Sequence, residues 1–318
     1  MNTKFDISLM VKVAQMYYNE GMKQEEIAGH LSISRSLISL ILTEAKEVGI
    51  VEINVRNPLM NNDDLSQRFK KLFKLSDCVI IPTAVQDAGT LRRLIAQRAV
   101  EVFNSNAVSS YTVGIAWGRT CYQFVDSYKA EKELKDINVV SLIGGSNQTA
   151  EYYQVNEMAR KLAEKMNGLA FFMHAPALTA SIEEKELYMQ SSSMQTIVEK
   201  WNELDIVISG IGTLPGVNEG EREKYIGEFE IYKQLQINQA VGDICARYFN
   251  INGEFILDDY YDRVIGVPAE SLEKARKVIC IASGVEKSQA ILGALRTKVI
   301  DTFICDEQTA KAVLKNME

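Results

Sequence analysis

From Asp64 onward, short and nearly continuous apolar runs alternate with segments of helical period, and this alternation constrains the fold more than any other feature of the chain. The runs expected to form strands are residues 78–81, 111–116, 139–143, 169–173, 206–208, 255–257, 278–282 and 302–305. Helical patterns stand at 91–104, 119–128, 156–166, 194–204, 287–295 and 307–315. A strand with one wet face alternates polar and apolar residues; these runs do not, so both of their faces must be covered. The expected fold class is therefore α/β, with a doubly wound, mostly parallel sheet. Ligands of such sheets bind beyond the carboxyl ends of the strands, near the point where strand order reverses.

Ahead of this region stands a different pattern. A helix is expected over 7–19, with Leu9, Val13, Met16 and Tyr17 on its apolar face and Gly21 ending it. The stretch QEEIAGHLSISRSLISLIL, residues 24–42, then reads as two helices hinged by a tight turn. Ile27, Ala28 and Leu31 share one face, and Leu37, Ile38, Ile41 and Leu42 share the next, with Ser32-Ile33-Ser34 between them supplying hydroxyl caps. This is the spacing of a helix-turn-helix, whose second helix enters a major groove. Gln24, Ser34, Arg35, Ser36, Ser39, Thr43 and Lys46 are the expected DNA contacts. The alternating run at 50–55 suits a wing strand, and the turn formers that follow suit a linker. The expected organisation is a DNA-binding module over 1–57, a linker over 58–64, and an effector-binding and oligomerisation domain over 65–318.

Composition narrows the function. Of 318 residues, 47% are hydrophobic and 24% charged, which are globular values. No apolar run reaches the length of a membrane span, so no membrane partner and a cytoplasmic location are expected. Five scattered cysteines without CxxC spacing and only two histidines make a metal site improbable and leave no cofactor implied. The net charge of −7 argues against broad nucleic-acid binding. Residues 1–57 hold six Lys/Arg against seven Asp/Glu, so groove reading needs contacts pooled from several subunits, and a homo-oligomer is expected.

Four loops that follow expected strands carry glycine: Gly114 to Thr120, Gly144 to Asn147, Gly210-Ile211-Gly212, and Ser283 to Ser288. None matches the nucleoside-triphosphate loop GxxxxGK[ST]. Arg119 and Lys287 each fall in the first turn of an expected helix, where the helix dipole disfavours a cation by ~0.3–1 kcal/mol. A bound anion reverses that sign. Gln190 with the serines after it could hydrogen-bond sugar hydroxyls, and Asp243 offers a carboxylate where a helix is expected to begin. His174 lacks the partners of a catalytic triad. The adjacent carboxylates Glu183-Glu184 and Asp258-Asp259 would point apart in regular structure.

At these residues the chain resembles the SorC family of bacterial transcriptional regulators. The resemblance is carried by Val11 to Tyr18, Gln24 to Ala28, Ile33 to Ser36, Gly114 to Thr120, Ser141 to Gly145, Gly210 to Gly212, Ala240 to Cys245, Gly284 to Lys287 and Asp306 to Ala310. It implies an effector domain related in fold to sugar-phosphate isomerases, a phosphorylated sugar as effector, a tetramer, and double-stranded operator DNA as partner. It further implies that Gly144, Gly145, Ser146 and Asn147 lie by the ligand, beside the Gly118, Arg119 and Gly212 that the post-strand loops already offer. Lys287 would meet the phosphate, with Gln190 and Asp243 at the sugar end. Two departures matter. The deoxynucleoside-regulator branch has a Schiff-base lysine where this chain has Ile143, so capture should be non-covalent. Leu40 stands where many members have arginine, although leucine can still meet a thymine methyl. A sugar-phosphate isomerase or deaminase with a helical appendage is the alternative, and it would need a general base, for which Asp243 is the candidate.

Overall fold

A computed structural model describes residues 4–51, 62–82, 88–145, 154–214 and 229–317. The chain divides into two compact units, Met1–Leu59 and Met60–Glu318.

In the first unit, α1 (Ile7–Ala14) begins at Asp6, whose carboxylate accepts the Ser8 amide at 2.9 Å, and it runs on through a π turn over Gln15–Asn19. The helix α2 (Gln24–Leu31) starts where Glu26 accepts the Lys23 amide at 2.8 Å. It ends at Ser32, which takes the left-handed conformation at φ 57°. Ser34 then caps α3 (Arg35–Glu47) by accepting the Leu37 amide at 3.2 Å, as the serine-rich turn predicts. Met10, Val13, Ile27, Ile38, Ile41 and Ala45 are fully buried among the three helices. Ile50 and Val51 pack against this core, whereas the rest of the expected wing lies outside the described residues.

The second unit opens earlier than the linker reading allows. Asn62 accepts the Leu65 amide at 3.2 Å and caps α4 (Asp63–Phe73), so 62–64 belong to a helix start. Seven parallel strands follow: β1 (Asp77–Ile81), β2 (Thr112–Ile115), β3 (Asn138–Ser141), β4 (Leu169–Phe171), β5 (Leu204–Gly210), β9 (Lys277–Ile281) and β10 (Thr302–Asp306). Their order is β1-β10-β9-β5-β2-β3-β4. In the central strands, residues pointing to either side are buried alike, so both faces of the sheet are covered. On one side α5 (Ala88–Asn106), α6 (Arg119–Ser127) and α7 (Val155–Met166) pack side by side. The chain runs from β2 outward to β3 and β4, then returns to the other side of β2 as β5. Strand order therefore reverses between β2 and β5, and the crevice at their carboxyl ends is where this topology places a ligand.

Seven of the eight expected strands form this sheet. The eighth, 255–257, does not: Phe255 makes one bridge to Phe249, and Leu257 is 75% exposed. A second sheet of three antiparallel strands holds β6 (Gly212–Thr213), β7 (Ala240–Ile244) and β8 (Arg247–Asn250). Asp243 thus lies in a strand, contrary to the helix expected there. The remaining helices are α8 (Ile182–Met189), α9 (Ser192–Asn202), α10 (Phe229–Ile237), α11 (Asp259–Arg263), α12 (Ala269–Lys274), α13 (Ser288–Arg296) and α14 (Glu307–Lys315). Among the described residues, no helix is long and apolar enough to cross a membrane.

Candidate effector site at the strand ends

The strands β9, β5 and β2 are neighbours in that order, and their carboxyl ends bring together three of the four glycine loops. After β2, Gly118 takes φ +112°, open only to glycine at low cost, and Arg119 begins α6. After β9, Gly284 takes φ +119°, and a 3₁₀ turn over Val285–Lys287 leads into α13. Neither helix has a side-chain cap at its N-terminus. Two helix starts, one with Arg119 as its first residue and one with Lys287 as its N-cap, therefore flank the end of β5. First-turn amides and the helix dipole both favour an anion there.

Lys287 is the inner cation. Its ammonium donates to the Ile211 carbonyl at 3.1 Å, leaving N–H donors free. Burial holds its amine below the usual value, and the Arg119 charge pushes in the same direction, with Asp243 opposing. Arg119 is exposed at the rim.

Asp243 faces this pair from β7. Its strand partner is Gly212, and a Cβ on Gly212 would sit 1.9 Å from the Asp243 Oδ1. Glycine is needed there so that the carboxylate can lie across the strand. The Asp243 Oδ2 accepts the Ala246 amide at 3.0 Å and so closes the β7–β8 turn, in which Cys245 (φ 53°) and Ala246 (φ 60°) are both left-handed. Such a turn normally uses Asn and Gly.

Burial pushes the Asp243 carboxyl up to about 6, with the Ala246 amide and Lys287 pulling it down. Because this lies above the unfolded value of 3.8, the folded protein holds the proton more tightly. The associated stability is fully present below 3.8 and is lost as pH rises through about 6. Between pH 5 and 7.5 the wild type should lose about 1.4 kcal/mol relative to Asp243→Asn. Urea denaturation of both proteins at the two pH values measures this difference. An unchanged gap would show that Asp243 is not held against its charge.

The other expected site residues fall differently. Gly144 and Gly145 follow β3, beside β2, but their amides are already used: Gly144 donates to Ile265 at 3.0 Å and Gly145 to Ala175 at 2.8 Å. A Cβ on Gly144 would lie 2.2 Å from the Pro176 carbonyl oxygen. This glycine lets two chain segments touch; it does not present an amide to a ligand. Ser146 and Asn147 lie outside the described residues. Gln190 stands exposed at the end of α8, its backbone amide donating to the Glu186 carbonyl at 3.0 Å, and among the described residues no hydrogen bond joins it to the cluster. Ser191 behind it is the cap of α9.

Sequence reasoning missed three features. The Ile211 carbonyl that holds Lys287 carries no sequence signal. Thr309, which accepts the Gly284 amide at 2.8 Å, carries none either. The Cys245-Ala246 turn lacked the residues by which such turns are read. His174 is exposed, and no group of three metal-ligating side chains occurs among the described residues.

Comparison with known proteins agrees with this architecture. The family described as "Putative sugar-binding domain" matches residues 57–315. The sorbitol operon regulator of Klebsiella pneumoniae is 29% identical, covering 99% of this chain and 100% of that protein. The deoxyribonucleoside regulator of Bacillus subtilis (strain 168) is 28% identical over 97% of this chain and 98% of its own length. The crystal structure of the full-length sorbitol operon regulator SorC from Klebsiella pneumoniae superposes with a TM-score of 0.84 at 28% identity, covering 98% of this chain and all of that one. The relatives' names also decide between the two functions left open by the sequence, regulator and enzyme. The chain belongs to the SorC family of transcriptional regulators, and it is a regulator with a sugar-binding domain, not an enzyme.

Proposed function

We propose that this regulator senses a phosphorylated sugar or polyol, bound non-covalently at the ends of β2, β5 and β9. The observation that carries the reading is the pair of uncapped helix starts, each holding a cation, on either side of the β5 end. A phosphate monoester would accept from Lys287, Arg119 and the first amides of α6 and α13. Asp243, an acceptor fixed beside Gly212, would take sugar hydroxyls. Ile143, two residues beyond β3, stands where the deoxynucleoside-regulator branch has its imine-forming lysine, so no imine can form at that position. The sorbitol and deoxyribonucleoside regulators make polyols and pentoses sensible members of a test panel.

In this reading the first unit binds double-stranded operator DNA, and the second joins the chains into a tetramer, which supplies the pooled contacts that a balanced charge requires. Ser34, Arg35, Ser36, Ser39, Thr43 and Lys46 are exposed along the start and outer face of α3. Gln24 is half-buried at the start of α2. Leu40 is 58% exposed on the same face, available to a thymine methyl. Arg35 pairs with Glu25 at 3.4 Å, both well exposed, so the pair costs little to break.

Two measurements test the reading. Thermal shift over phosphorylated pentoses, hexoses and polyols, each beside its unphosphorylated parent, should show stabilisation only by phosphorylated members. Equal response to parent and phosphate would remove the anion from the account. Arg35→Ala should weaken operator binding by ~1–3 kcal/mol in a fluorescence anisotropy titration. Wild-type affinity in that variant would remove Arg35 from the DNA interface.

A further inference from the structure

Away from the Lys287 cluster, a cavity of about 170 Å³ lies in the second unit. Lys185, Met189, Val198, Trp201, Asn202 and Arg247 contribute to its wall, and no carboxylate does. Arg247 is only 3% exposed. Its Nε donates to Val267 at 3.1 Å, one Nη to Tyr261 at 3.1 Å and the other Nη to Gly266 at 2.7 Å, all carbonyl oxygens. The Tyr261 ring lies 4.3 Å from the guanidinium carbon. Lys185 donates to the Asp262 carbonyl at 2.8 Å. Among the described residues, neither cation reaches a carboxylate oxygen at ion-pair distance.

These contacts staple β8 to the segment around α11, and that is a structural role. They do not neutralise the charge, because a carbonyl offers a dipole and no counter-ion. Two guanidinium N–H and two ammonium N–H remain uncommitted. The charges also repel: burial and the Arg247 charge both lower the Lys185 amine, with Asp262 opposing from beyond ion-pair distance and Glu270 likewise favouring the Arg247 charge. Met189, Val198 and Trp201 make much of the remaining wall apolar. A cavity of roughly 150 Å³ accommodates benzene, so the space suits an organic molecule of that size.

We propose that this cavity is a second ligand site, taking a small carboxylate with a short apolar body. Its carboxylate would accept from Arg247 and Lys185, and its carbon skeleton would lie against Val198 and Trp201. The site stands independently of the sugar-phosphate reading, since it shares no residue with the Lys287 cluster. The β7–β8 hairpin nevertheless runs from Asp243 to Arg247 and so links the two sites through a single turn.

The test is thermal shift of the full-length protein with sodium propionate, butyrate and benzoate, against sodium chloride at matched ionic strength. Carboxylates should raise the melting midpoint saturably. Lys185→Met, at a partly exposed position that should fold normally, should weaken the apparent affinity about tenfold or more. Val198→Phe, which fills the space and keeps both cations, should do the same. Lys287→Ala should respond as wild type, and in that background inorganic phosphate should do no more than chloride. No shift beyond chloride overturns the proposal, and so does an unchanged response in Lys185→Met. A phosphate response matching that of the carboxylates in the Lys287→Ala background overturns the assigned ligand class.

Discussion

Lys287→Ala is expected to raise the dissociation constant for a phosphorylated sugar roughly 10–150-fold, the loss of about 1.5–3 kcal/mol that a hydrogen bond to a charged group contributes. The free protein should not suffer in parallel. In the free state Lys287 is partly desolvated and repelled by Arg119, and its one hydrogen bond goes to the Ile211 carbonyl. Removing it relieves the first two costs and forfeits that bond together with the attraction of Asp243 and Glu286. The expected pattern is therefore a melting midpoint close to wild type without ligand, a ligand shift displaced to roughly 10–150-fold higher ligand concentration, and retained operator binding. A variant that melts early and still binds the sugar phosphate would make Lys287 a structural residue and leave the phosphate site unassigned.

Gly144→Ala is expected to lower stability by about 3 kcal/mol or more, a cost typical of overpacking with no route of escape. The new methyl would meet the Pro176 carbonyl oxygen at 2.2 Å, its carbon at 2.4 Å and the Ala177 nitrogen at 2.6 Å. All three are backbone atoms and cannot swing aside. Separating the segments breaks the Gly145–Ala175 and Ala177–Gly145 hydrogen bonds, each 2.8 Å long. Gly145→Ala provides the contrast, because its nearest neighbours stand at 3.8 and 3.9 Å. That change should stay within about 1 kcal/mol. Urea denaturation of the two variants separates packing from ligand presentation. If the paired glycines instead served to aim amides at an effector, both variants would keep wild-type stability and lose ligand together.

How far the sequence could be read depended on how local the signal was. Parallel strands buried on both faces announce themselves as apolar runs, and β1, β2, β3, β4, β5, β9 and β10 all lie where such runs stand. The run at 255–257 has the same character over three residues, too short to outweigh the turn formers Asn252 and Gly253 before it. Lys287 and Arg119 were found because a cation in a first helical turn is electrostatically out of place; Arg119 does open α6, whereas Lys287 closes the 3₁₀ turn and stands one residue ahead of α13 as its N-cap.

Asp243 was placed in the wrong element. Val241 to Ala246 has no Asn-Gly to mark a two-residue hairpin, and the left-handed Cys245 and Ala246 are held by a side-chain acceptor that sequence cannot show. The close packing of Gly144 on Pro176 was invisible because the two are distant in sequence. Arg247 drew no notice for a related reason: the carbonyls that receive it become a set only once α11 and the segment after it are folded.

A crystal structure of the full-length protein grown with whichever phosphorylated sugar stabilises it most would test the central claim most directly. The account predicts phosphate oxygens within hydrogen-bond reach of the Lys287 ammonium and the first amides of α6 or α13, with sugar hydroxyls toward Asp243. A ligand seated elsewhere, with Lys287 still turned to the Ile211 carbonyl and no anion between the two helix starts, would contradict it.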